Sequence, residues 1–586
     1  LIENLRRVIA AVSAGRRDRE AAARWSDALL EGAAGDPSKV VATLAKLTGE
    51  NPPLDTPFVA ELASRLQGQG AIATLPMAWL EQRLENEGKS VEGVFQSAIQ
   101  SQASDQISVG NSITSLRTLD AIDWRTFVEG LAVVETVLRD DPAKVYATME
   151  FATRDRYRHV VERIAKRSKR SEREVAAKAI ALASTQPPGR EHHVGYFLID
   201  RGRRSLELAL AGKSHERALS KKLNRGLGIV TYVGTITAIT VALTWLFAHL
   251  ALTRRHPLAW NIAWSVVVAL VGSQLAISFV HWITTLTIKP RPLPRLDLSS
   301  GIPEAHKTLV AVPVMLTSEA GIAHLVELLE VRFLANRDPN LGFALVTDFA
   351  DATTEKTAND DRLLAYARDA IAALDHKYER GGGFFLFHRA RRYNARDQIW
   401  MGWERKRGKL EDLNAALRGE PERFAEIVGR TQLLDGMRYV IVLDSDTALP
   451  RDAARELIGT LAHPLNRPVI DALRGRVCHG YAILQPRVGI TLDSTQKTRF
   501  ARLFAGEPGI DPYTRVISDV YQDLFAEGSF IGKGIYDVDA VRGVLGDMLP
   551  DNRVLSHDLL EGAYGRAGLV SDVIVYEDYP STYGVD

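Results

Sequence analysis

Two long stretches without charged side chains constrain this chain more than any other feature. Gly226–Leu252 and Leu258–Ile288 carry no Asp, Glu, Lys or Arg, and each exceeds the about 20 residues that cross a bilayer as a helix. Trp245, Trp260, Trp264 and Trp282 supply rings suited to membrane–water interfaces. The connector Thr253–Pro257 is too short to be a domain, so the two spans are read as a hairpin with both flanks on one side. Lys221, Lys222 and Arg225 precede the first span, and Lys289, Arg291 and Arg295 follow the second. Only Arg254 and Arg255 lie between them. The basic excess assigns the flanks to the cytoplasm. A single cysteine, Cys478, excludes a disulfide within the chain and fits a reducing compartment. A net charge of +1 gives no support for a nucleic-acid partner. The chain starts at Leu1 with no signal peptide and is read as a piece of a longer protein.

Residues 1–220 read as an all-α region. Asp36-Pro37, Thr56-Pro57 and Asp141-Pro142 each place a capping side chain before a proline suited to the first helical position. Ser171 with Glu174 spells a capping box. DPSKVVATL (36–44) and DPAKVYATM (141–149) resemble each other, and convergent helix starts account for that better than a repeat. After a proline-rich linker, 289–303, the pattern turns α/β over 304–586. Apolar runs at 308–316, 341–349, 381–390 and 439–446 alternate with helical segments near 319–335, 359–379 and 451–463. This alternation predicts a mainly parallel sheet covered on both faces, with ligands gathered at the carboxyl ends of its strands.

Acids stand at those ends. YVIVLDSD closes on Asp444 and Asp446, and carboxylates at i and i+2 of an extended chain point the same way. Such a pair suits a hard divalent cation, which would hold a nucleotide diphosphate. Asp348 ends FALVTD, where a carboxylate can accept hydrogen bonds from a uracil or ribose; a plain strand-end turn explains it equally well. Arg405, Lys406, Arg407 and Lys409 surround Gly408 in a basic turn before a helix at 410–417, and a glycine there allows close approach to a diphosphate. Gly528, Gly532 and Gly534 imply tight backbone near a ligand, without the spacing of a Walker loop. His557 and Asp558 open a short helix, where an ionised aspartate is favoured and can serve as a general base.

The order of these signals resembles the processive inverting glycosyltransferases with the A-type nucleotide-sugar fold. The wording resembles one family more closely, the cyclic β-1,2-glucan synthases. The likeness lies in HHVGYFLIDRGRRSLE (192–207), WERKRGKLEDLN (403–414), VLDSDTALP (442–450), residues 504–540 and RVLSHDLLEG (553–562), and covers roughly residues 140–586. It implies UDP-glucose as donor and Mg2+ or Mn2+ as cofactor. It matches Asp348, Lys409 and Asp444 to the donor, Asp444 and Asp446 to the metal, and Asp558 to the general base. Gly528, Ser529, Lys533 and His557 fall on the acceptor side. It further implies a growing, protein-linked β-1,2-glucan, lipid contact, a multi-pass protein of a bacterial inner membrane with both large regions cytoplasmic, and a C-terminal phosphorylase-like domain. The chain reaches Asp586 without that domain and without the Gln-x-x-Arg-Trp segment that relatives use, so 304–586 is read as C-terminally incomplete. A cellulose-synthase-like polymerase making a linear β-glucan and a non-catalytic membrane scaffold are the alternative readings.

Overall fold

Strands form where the apolar runs are β-branched and aromatic, and the burial of successive side chains alternates between two faces. The computed structural model describes residues 1–586 apart from 34–36, 211–224, 252–256, 289–291, 380–382, 506–519, 547, 555–556 and 583–586. Asp36, Lys221, Lys222, the hairpin arginines Arg254 and Arg255, Lys289 and Arg291 therefore lie outside the described residues.

The chain divides into two units, Leu1–Leu131 and Ala132–Asp586. The first is helical, its core built by Phe58, Leu62, Leu66, Leu80 and Leu84 from neighbouring helices. The second opens with helices around a core of Tyr146, Tyr157, Val161, Val175 and Leu198. Here the capping box is present as read: Ser171 Oγ accepts from Glu174 N (3.2 Å), and the Glu174 carboxylate accepts from Ser171 N (3.1 Å). The helix expected at Asp141-Pro142 is absent. That segment is a turn followed by a short 3-10 helix, Tyr146–Thr148, whereas its look-alike forms the helix Pro37–Glu50. The reason is tertiary. The buried Asp141 carboxylate accepts from Val145 N, Tyr146 N, Val194 N and His193 Nδ1, and so ties its own loop to residues 193–194 instead of starting a helix.

The larger unit is organised by an eight-stranded mixed sheet made of β1 (Thr308–Leu316), β2 (Leu341–Phe349), β3 (Phe384–His388), β6 (Glu426–Val428), β7 (Tyr439–Val442), β10 (Ile483–Ile490), β11 (Gly534–Asp537) and β12 (Ala567–Glu577). Two antiparallel ribbons pair β4 (Arg392–Asn394) with β5 (Ile399–Met401) and β8 (Val469–Asp471) with β9 (Arg476–His479). The strand order in the large sheet is β12-β10-β11-β7-β1-β2-β3-β6. The central neighbours β7, β1, β2 and β3 run parallel. Val310, Val312, Phe343 and Leu345 face one core, which the helices Glu319–Ala335, Asp360–Lys377 and Ala453–Ala462 cover. Leu309, Ala311, Ala344 and Val346 face the other, covered by Arg405–Ala416 and Val538–Leu545. β2, β3 and β6 follow one another on one side of β1, and the chain then crosses to β7 on the other side, which opens a crevice beyond the carboxyl end of β1.

The two apolar stretches form helices, Arg225–Ala251 and Leu258–Thr287, packed on each other. Trp245, Leu250, Leu270 and Leu286 are each more than 60% exposed, which no core helix of a water-soluble protein permits; the pair fits membrane association. Near one end of the pair, Tyr232 and His281 form a hydrogen bond (2.6 Å), and their rings contact Tyr521 or Phe525 of the helix Val520–Phe525. Arg295, counted above as a flanking charge, is buried in the linker, where it donates to Asp572 (2.5 Å) and Thr460 Oγ1 (3.0 Å).

Candidate active site

The crevice beyond β1, β2 and β7 collects the acids and bases. Asp348 is the penultimate residue of β2, paired in register with Met315 of β1. Its carboxylate receives Arg389 Nε at 2.8 Å and Arg389 Nη2 at 2.9 Å, with Lys409 Nζ at 3.3 Å. Lys409 is itself buried and donates to Val314 O (2.6 Å); burial pushes its pKa down against the pull of Asp348. Arg389 also donates to Asp412 (2.9 Å), and these carboxylates hold its pKa up although burial opposes them. Gly402 makes this packing possible, because a Cβ there would overlap the Asp348 carboxylate.

β7 ends at Val442, two residues before Asp444, so the acids of LDSD stand on a turn rather than on extended chain. Strand alternation therefore does not aim Asp444 and Asp446 the same way. Arg332, buried in the helix Glu319–Ala335, clamps the turn by donating to Ser445 O (2.7 Å), Thr447 O (3.0 Å) and Asp444 O (3.3 Å). Asp444 is half-buried between two ammonium groups, Lys406 Nζ at 2.6 Å and Lys533 Nζ at 3.3 Å. Asp446 is exposed, and its charge is felt by Arg332.

The basic run is not a turn before a helix. It is the first turn of the helix Arg405–Ala416, which begins after Glu404 in a left-handed conformation. Lys406 therefore points back across the crevice and donates to Asp444 and to Gly532 O (2.9 Å). The bareness of Gly408 serves packing within the chain, since a Cβ there would overlap the Trp403 carbonyl oxygen. Gly532 has φ +82°, and a Cβ built on it would lie 3.1 Å from both Asp558 oxygens and 3.2 Å from Lys406 Nζ. Lys533 pairs with Glu577 (2.5 Å) as well as Asp444; these acids hold its pKa up although burial pushes it down.

Asp558 is the first residue of the helix Asp558–Gly565, with His557 before it and Glu561 in its first turn. Ligand atoms of these three lie within 4.8 Å of one another. Burial, reinforced by Asp558, raises the Glu561 carboxyl to about 7, and burial lowers His557.

Two cavities share Lys406 as a wall. One, of about 400 Å³, is lined by Asp348, Asp351, Lys409 and Ser445; the other, of about 260 Å³, by Arg407, Glu411, His557, Asp558 and Glu561. Asp348, Lys409, Asp444, Lys533, His557 and Asp558 are thus linked around Lys406. Asp446, two residues beyond Asp444, is exposed and is not among the residues lining the two cavities. Gly528 packs against β12, donating to Ala567 O (2.8 Å), and Ser529 is half-buried beside it; neither is among the residues lining the two cavities. Sequence reasoning missed Arg332, Arg389, Glu561 and Glu577. Only Glu561 had a local signal, its spacing four residues from His557 on one helical face.

No protein-family model matches the chain. It is 37% identical over 598 residues to the cyclic β-(1,2)-glucan synthase NdvB of Rhizobium meliloti (strain 1021), and that similarity covers 100% of this chain. The chain spans about a fifth of that relative's length, 21%. The likeness read from short segments thus extends along the whole sequence, and the relative is a glucan synthase, as the transferase reading requires.

Proposed function

We propose that this chain is the glycosyltransferase portion of a membrane-embedded synthase that elongates a β-1,2-glucan from UDP-glucose by inverting, processive transfer on an A-type nucleotide-sugar fold. The observation that carries the reading is the meeting of three distant segments at Lys406. Its ammonium joins Asp444, beyond β7, to the loop at Gly532, and Gly532 lies against Asp558 at a helix start. The cavity beside Asp348 and Ser445 takes the nucleotide, with Asp348 and the buried Lys409 at its floor. Lys406 and Lys533 hold positive charge where a departing diphosphate gains negative charge.

Asp558 takes the proton from an acceptor hydroxyl, whose oxygen attacks the anomeric carbon from the side opposite the diphosphate. One such displacement inverts the α-linked donor to a β-linked product. Burial, reinforced by the neighbouring Asp558, holds a proton on Glu561 up to about neutral pH, so Glu561 is not assigned as the base. Asp444 would supply a hard oxygen donor to Mg2+ or Mn2+, and the exposed Asp446, two residues on, would supply another. When bound, such an ion would neutralise the diphosphate. Both flanks of the helix pair lie on the cytoplasmic side of a bacterial inner membrane in this reading, and the phosphorylase-like domain of the whole protein acts on the glucan afterwards.

The test is Asp558→Asn in the full-length enzyme with radiolabelled UDP-glucose. Loss of incorporation by about a hundredfold or more is expected from removing a general base. Wild-type incorporation would reject the assignment, and linkage analysis of the product separates a β-1,2-glucan from another linear polymer.

A further inference from the structure

A third cavity, of about 150 Å³, lies away from this site, between the helical segment, the linker after the second apolar helix, and the sheet. Arg156, Arg190, Arg201 and Arg566 line it with His479, against one carboxylate, Asp200. Arg566 is spent on positioning: it donates to Gly480 O (2.8 Å) and Ala526 O (2.7 Å) and stacks 5.0 Å over Tyr481. Arg190 and Arg201 keep capacity. Arg190 holds Asp200 through Nε (3.0 Å) and Nη2 (2.6 Å), which leaves its Nη1 buried with no hydrogen-bond partner. Arg201 Nη1 lies 3.1 Å from His479 Nε2 and is otherwise exposed. Arg156, on the cavity wall, donates to Pro292 O with Nη1. Burial lowers His479, and the neighbouring Arg201, Arg190 and Arg566 lower it further, which registers positive potential at the cavity wall.

Guanidinium forks converging on a small cavity match a tetrahedral oxyanion. The volume is that of about five waters, too small for a nucleotide. Its position selects the source. Pro292 follows the end of the apolar helix, Thr287, by five residues, a reach of at most about 17 Å. Gln522 and Ala526 on another wall belong to or follow the helix whose Tyr521 and Phe525 rings contact Tyr232 and His281 of the apolar pair. We propose that this cavity binds a phosphate group, presented by an anionic lipid headgroup at the end of the helix pair. The proposal rests on the membrane reading of those helices, but on neither the donor nor the base assignment.

The full-length enzyme is placed in nanodiscs of phosphatidylcholine with increasing phosphatidylglycerol, and its melting midpoint is followed. A saturable rise with phosphatidylglycerol is expected. In Arg156→Gln/Arg201→Gln the half-saturating content should increase about thirtyfold, from two lost charges near a lipid surface. The exposed single variant Arg201→Gln, melting as wild type in phosphatidylcholine, should show about a fivefold increase. Millimolar inorganic phosphate in phosphatidylcholine discs is the second arm, and an equal rise there keeps the phosphate site but overturns the lipid source. Equal midpoints in both lipids with no phosphate response, or variants that respond as wild type, would overturn the proposal. UDP-glucose incorporation in phosphatidylcholine discs reads the transferase separately.

Discussion

The Lys406 ammonium lies 2.6 Å from Asp444 Oδ1 while it donates to Gly532 O at 2.9 Å, so one side chain ties the turn after β7 to the glycine loop before β11. Both partners are distant in sequence, 38 and 126 residues away.

Lys406→Met keeps the stem of the side chain and removes the charge. A charge-assisted hydrogen bond contributes about 1.5–3 kcal/mol, so kcat/KM for UDP-glucose should fall about 10- to 100-fold. Steady-state incorporation with the full-length enzyme measures it. An unchanged value would place Lys406 outside the reaction.

Gly402→Ala should be severe although the residue carries no chemistry. A Cβ there displaces Asp348 from Arg389 and Lys409, and a buried charge left without its partner costs about 3–5 kcal/mol. By contrast, Gly49→Ala in the helix Pro37–Glu50 meets nothing within 4 Å and should stabilise by up to about 1 kcal/mol. Melting midpoints of the two variants should move in opposite directions.

The Glu561 carboxyl stands at about 7 against an ordinary 4.5. The folded chain keeps this proton where the unfolded chain releases it. Its stabilising effect is therefore full below the ordinary value and is lost as pH rises through about 7. Glu561→Gln should abolish that loss, so that the variant gains on the order of 2 kcal/mol over wild type under mildly alkaline conditions and little under acid ones. Paired melting curves across this range read the difference.

Asp141→Ala removes the acceptor of four hydrogen bonds and the partner of a fully buried histidine, His193. A loss of about 3 kcal/mol or more is expected, with faster proteolysis within 132–210. His193 and the backbone N–H groups hold the Asp141 carboxyl below its ordinary range although burial opposes them. Its contribution is present above that range and disappears as pH falls through the lowered value, so wild type should approach the variant in acid.

How much was legible follows the range of the forces. The spans at 225–251 and 258–287, the strands at 308–316 and 341–349, and the Ser171 capping box were readable because hydrophobic period and capping act over a few residues. The same rule failed at Asp141-Pro142, where acceptors were claimed by Val194 and His193, some fifty residues on. It placed the start of the helix Arg405–Ala416 five residues late, because Lys406 and Arg407 read as a solvated run until partners from Asp444, Gly532 and Glu404 are seen.

The sequence by itself determined which segments are the apolar helices and the four parallel strands β1, β2, β3 and β7, and that acids stand at or just beyond the ends of two of those strands. Only the tertiary structure decided that Asp444 meets Lys406 and Lys533, that Asp348 is consumed by Arg389, and that Glu561 keeps its proton. Those outcomes depend on the strand order β7-β1-β2, which brings distant chain ends to one crevice, and on burial, which makes the pairing of charges there obligatory.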